Sequence, residues 1–167
     1  MAMFEKFGEF DSIEEINKAA EGLKEEGDLE SLKAMAAENG IHPDDVDDYI
    51  HGEVESLVPN PVSGALAKIQ LEVDGNKKLF EDQELISDWI GYIKTEAQEN
   101  EIFARAVRRK GKTIVGCVGR ILKWAFGNQV ELDRELIKAA GVNANKVTFG
   151  VPGMRTAKKL IREYYLG

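Results

Sequence analysis

The 167-residue chain is predicted to be all-α: a compact multi-helix domain with a small acidic N-terminal helical unit. Apolar residues recur at helical spacing in one segment after another, and helix start and stop signals bracket those segments. No alternation of apolar and polar residues is long enough for a competing strand, although residues 146–151 look extended.

The elements follow in order. Ser12-Ile13-Glu14-Glu15 forms a capping box, in which the Ser12 hydroxyl takes the Glu15 amide and the Glu15 carboxylate returns to Ser12. Ile13, Ile16, Ala19, Ala20 and Leu23 follow at helical spacing until Gly27 stops the run. Asp28 caps a second helix striped by Leu29, Leu32, Met35 and Ala36, with Asn39-Gly40 as its left-handed end. Pro43 opens a short acidic third helix to about Ile50. Val58-Pro59-Asn60-Pro61 cannot continue a helix, so the boundary falls there, between an N-terminal unit of residues 1–57 and a larger domain of residues 63–167.

In the larger domain Ser63 to Val73 reads as a helix, Asp74-Gly75-Asn76 as a turn, and Asp82 to about Gln98 as a helix whose stripe includes Trp89, Ile90 and Ile93. A short helix over Ile102 to Arg109 precedes Lys110-Gly111-Lys112. Thr113 then caps a mostly apolar helix through Phe126, which reads as the buried central one. Leu132 to Ala140 gives another helix. Pro152 opens the last, with Met154, Ala157, Leu160, Ile161 and Tyr164 facing inward.

The net charge of −8 conceals a sharp division. Residues 1–60 hold 17 acids and 4 bases, whereas residues 101–167 hold 5 acids and 14 bases. Asp44, Asp45, Asp47 and Asp48 crowd the third helix. Arg105, Arg108, Arg109 and Lys112, joined by Lys110, fall at positions that share one face if the helix continues. Arg155, Lys158, Lys159 and Arg162 repeat that spacing on the last helix. Such ridges suit a phosphate backbone, and the acidic helix suits a cationic channel. Two alternatives stay open: the opposite poles meet a partner, or they meet each other.

Catalytic motifs are not evident. Gly111-Lys112-Thr113 resembles the end of a phosphate-binding loop, but Ala106 stands where the first glycine belongs and a basic helix precedes it instead of a strand. The aspartate cluster lacks the alternation, glycine and distant glutamate of a calcium loop, and Asp47 with His51 makes only two ligands, so no metal or other cofactor is expected. The single cysteine, Cys117, lies in an apolar run, which suits a buried inert thiol and a reducing compartment. With neither the layout of a signal peptide at residues 1–10 nor an apolar run long enough to span a bilayer, a cytoplasmic, non-enzymatic binding protein is expected.

Particular stretches carry a resemblance: Phe4 to Ser12 with Glu14-Glu15-Ile16-Asn17, then Glu38 to Ile41, Leu122-Lys123-Trp124, Val151 to Met154 and Ala157-Lys158-Lys159. Together they resemble the PcfK-like proteins of plasmids, phages and integrated elements in Firmicutes, a family whose members include inhibitors of the type II CRISPR effector nuclease. The resemblance implies an anti-CRISPR protein in a bacterial host cell that binds the guide-loaded effector and blocks target DNA recognition or cleavage. It transfers no site residue. The alternative expectation is a nucleic-acid-binding accessory protein of a plasmid or phage, active in DNA processing or conjugative transfer.

Overall fold

The structure is a computed structural model, and it describes residues 4–167. Among these residues are ten helices: α1 (Ile13–Glu25), α2 (Leu29–Glu38), α3 (Pro43–His51), α4 (Pro61–Gly75), α5 (Lys77–Phe80), α6 (Glu84–Glu99), α7 (Glu101–Arg108), α8 (Ile114–Gly127), α9 (Arg134–Ala139) and α10 (Met154–Leu166). Two short antiparallel strands, β1 (Val130–Glu131) and β2 (Thr148–Phe149), pair Val130 with Phe149 and Glu131 with Thr148. The fold is all-α.

Caps account for most of the boundaries. Ser12 accepts from the Glu15 amide, but the Glu15 carboxylate reaches one residue further back, to the Asp11 amide at 2.9 Å. Asp28 caps α2 through the Ser31 amide at 3.0 Å. Asn60 caps α4 through the Ser63 amide at 2.9 Å, which moves the helix start ahead of the expected Ser63 and seats Pro61 at the first helical position, where a missing N–H costs nothing. The expected turn at Asp74 to Asn76 is instead the end of α4, followed directly by the single turn α5. Asp133 caps α9, so that helix starts at Arg134 and not at Leu132.

Two apolar clusters form. Ile16, Ala20, Leu32, Met35, Val46 and Tyr49 pack α1, α2 and α3 together with Leu57 and Val58. The larger cluster joins α4, α6, α7, α8 and α10 around Ile69, Trp89, Ile93, Phe103, Ile121 and Tyr165. Its centre is α7, which packs against α4, α6 and α10 and buries Phe103, Ala104, Ala106 and Val107. The expectation for α8 is corrected accordingly: Ile114, Cys117, Val118 and Ile121 are buried, but Val115, Leu122 and Phe126 face outward. Its apolar residues occupy both faces, and only one face has helices to cover it.

The clusters are bound to each other. Gly40, with a φ of +72°, lies so close to α4 that a Cβ would stand 2.5 Å from the Ala67 carbonyl oxygen. Arg108 of α7 also donates to Asn39 at the end of α2, while within the first cluster the Asn17 side chain accepts from the Val58 amide at 2.8 Å and donates to its carbonyl at 2.9 Å.

Candidate functional site

The first basic ridge does not form, because α7 ends at Arg108. Arg109 turns to φ −58°, ψ 140°, and Gly111 adopts φ +77°, so Arg109, Lys110 and Lys112 leave the helical phase that would align them. The loop amides explain the break. The Lys110 amide donates to Asp11 at 2.9 Å and the Gly111 amide donates to Glu9 at 3.4 Å. At the start of α8 the Ile114 amide donates to Glu72 at 2.5 Å. Amides that the sequence offers to an external anion are held by the chain's own carboxylates.

The cations of this region are committed too. Arg105 bonds Glu14 at 3.0 Å and Glu101 at 3.1 Å, and the Glu14 hydrogen bond is the main reason its pKa rises. Lys112 donates to the Tyr164 carbonyl at 2.6 Å and lies over that ring. Arg108, offered by the sequence as an exposed contact, is only 2% exposed, and its guanidinium donates to Asn39 at 2.5 Å. Burial lowers its pKa to about 10, against the opposing pull of Glu9 and Glu72. Removal from solvent rules it out as a phosphate contact. Arg109 and Lys110 are exposed and make no ion pair among the described residues.

At the centre of this junction sits Lys68, whose side chain is 1% exposed. Its ammonium donates to the carbonyls of Val107 at 3.0 Å, Arg109 at 3.0 Å and Lys112 at 2.8 Å, using all three protons. Glu9 lies 3.3 Å away and Glu72 4.0 Å away. Burial lowers the Lys68 pKa and raises that of Glu72, while the two charges partly restore each other. The arrangement is a structural clasp. Three carbonyls at and beyond the end of α7 are ordered by one ammonium, and the N-terminal segment is pinned to it through Glu9.

The acidic helix is different in kind. Asp44, Asp45, Asp47 and Asp48 are all exposed on α3, and the basic C-terminal half does not reach them. Among the described residues Asp47 has Lys33 at 3.9 Å and Asp44 has His42 at 3.6 Å, while Asp45 and Asp48 make no ion pair. The His51 ring, which shares the i, i+4 spacing with Asp47, contacts the Asp47 backbone carbonyl at 2.7 Å and not its carboxylate. Among the described residues no group of three or more potential ligands converges to hold a metal.

The last helix keeps its ridge. Arg155, Lys158, Lys159 and Arg162 are exposed along α10, opposite buried Ala157, Leu160 and Ile161. Arg162 pairs with Glu96, Lys159 lies 3.8 Å from Glu163, and Lys158 stands over the Tyr92 ring. Arg155 makes no ion pair among the described residues.

No family model, curated protein or solved structure matches the chain.

The structure presents an acidic face on α3 and a basic face on α10 at separate places. Cys117 offers no alternative nucleophile, because it is buried and its pKa is pushed up to about 12, first by burial and then by Glu72. Among the described residues no helix is long and apolar enough to cross a membrane. Sequence reading misses the clasp. Its signal is a charged pair, Lys68 and Glu72 at i, i+4, interrupting the apolar face that Ala65 and Ile69 define on α4.

Proposed function

We propose that this protein is a stoichiometric inhibitor that binds the guide-loaded type II CRISPR effector nuclease and blocks target DNA recognition or cleavage. The observation that carries the reading is the state of the divided charge. The N-terminal acids that form ion pairs beyond their own unit are Glu9, with Lys68, and Glu14, with Arg105, whereas the four α3 aspartates and the α10 ridge stay outward and apart. Exposed single-sign faces cost stability through self-repulsion and serve to steer and dock a charged partner. The resemblance to PcfK-like proteins supplies the partner: an effector with a cationic nucleic-acid channel and a guide RNA backbone, which suits the acidic and basic faces respectively.

In this reading α3 meets cationic protein, α10 meets nucleic acid, and Arg105 and Arg108 hold the fold and take no part in contact. The test is a cleavage assay with three variants. Replacing Asp44, Asp45, Asp47 and Asp48 by Asn, or Arg155, Lys158 and Lys159 by Gln, is expected to weaken inhibition at least tenfold, and replacing the exposed Lys18 by Gln is expected to leave it intact. Full inhibition by both multiple variants would exclude these faces. The α10 ridge also suits an accessory DNA-binding protein of a mobile element; salt-dependent binding to free DNA, with no effect on the nuclease, would select that reading.

A further inference from the structure

An uncovered apolar groove runs between the end of α8 and β2, with a volume of about 420 Å³, walled by Leu122, Phe126, Phe149 and Val151. Phe126 is 80% exposed and Phe149 is 64% exposed, although a phenyl ring is the side chain with most to gain from burial. The antiparallel register places Val130 directly across from Phe149, on the same face. The walls are fixed. Gln129 donates to the Ala125 carbonyl at 2.8 Å and accepts from the Thr148 hydroxyl at 3.0 Å, tying α8 to β2. Gly150 is required there, since a Cβ would collide with the Gln129 amide and stand 2.5 Å from the Ala125 carbonyl oxygen.

The surroundings are strongly positive. From the start of α8 to the end of the sequence, residues 114–167 hold nine Lys and Arg against four Asp and Glu, and α8 itself has no acid. Lys123 lies one turn from Phe126 on α8, and Arg155 follows the groove wall at Val151 by four residues; neither makes an ion pair among the described residues. From Arg155 the cations continue in a row along α10. A row leading away from two exposed aromatic rings fits a polyanion whose bases stack on the rings better than it fits a protein segment, which would need only point charges at the rim.

We propose that this groove binds unpaired nucleotides of single-stranded RNA or DNA, with bases stacked on Phe126 and Phe149 and phosphates on Lys123, Arg155 and Lys158. The site deepens the proposed function by naming what the basic face holds, but it acts in the protein alone. Its failure is therefore separable from a failure to inhibit the nuclease.

The experiment is fluorescence anisotropy with labelled oligothymidylate and oligouridylate of about 15 nucleotides, within the span of known single-strand sites. The wild-type protein binds both and prefers them to a duplex of equal length. Phe126→Ala and Phe149→Ala each weaken binding by about 5- to 160-fold, the range for losing one base–aromatic stack. Lys123→Gln and Arg155→Gln each flatten the dependence of log affinity on log salt by about 0.7. Both rings are exposed, so the alanine variants keep the wild-type melting temperature, and circular dichroism checks this. Absence of binding, equal binding by the Phe variants, or a preference for duplex overturns the site. So does a wild-type dimer in light scattering that Phe126→Ala converts to monomer, which would make the groove a contact between copies.

Discussion

Lys68→Met should be among the most damaging single substitutions outside the apolar cores. The side chains are of similar length, so the variant removes the ammonium with little change in packing volume. Three carbonyls at 2.8–3.0 Å lose their donor, and Glu9 and Glu72 lose the cation between them. Removing one partner from a buried ion pair costs about 3–5 kcal/mol, and Arg108, which repels Lys68, recovers part of this as a substitute cation. A net loss of about 3 kcal/mol follows, or about 6–12 °C in melting temperature for a chain of this size.

Urea unfolding followed by circular dichroism measures the loss, with Lys110→Met, at an exposed position, as the control expected within about 0.5 kcal/mol of wild type. Acidity gives a second signature. Glu72 has its pKa raised by burial, so its ionised form costs the folded state stability, and lowering pH toward its folded value relieves that cost. Without Lys68 that pKa rises further, and the variant should recover stability relative to wild type as pH falls from neutral. Stability within about 1 kcal/mol of wild type, with no such recovery, would refute the clasp.

Other outcomes follow from the same structure. Gly40→Ala should cost about 2–3 kcal/mol in urea unfolding, because it combines a left-handed backbone with a clash against the Ala67 carbonyl that no side-chain rotation relieves. Cys117 should resist alkylation in the native protein at pH 8 and react on unfolding. Since its pKa is raised from 9.0 to about 12, stability should fall as pH climbs through that interval, and Cys117→Ala should make the fall shallower.

The helices are legible in the sequence where a cap and an apolar stripe agree, as at Ser12, Asp28 and Thr113. The exposed acidic face of α3 and the ridge of α10 are legible for the same reason: each sits on a helix whose opposite face is apolar, so period alone fixes which residues point outward. Period fails at Arg105 to Lys112. There the deciding forces are long-range: Glu9, Asp11 and Glu72 come from about 40 to 100 residues away to take the loop amides, and Lys68 draws three carbonyls inward. A row of arginines cannot reveal which of its members a distant asparagine will bury, as Asn39 does Arg108. The aromatic groove escapes for another reason. Phe126 and Phe149 each look like core residues, and only the tertiary structure leaves them uncovered.

Titration of the intact protein against a guide-loaded type II effector, with cleavage of a target duplex as the readout, tests the central claim most directly. Cleavage should fall in proportion to added protein and cease at a small fixed molar ratio, with no loss of the protein itself. Undiminished cleavage at a large molar excess would contradict it.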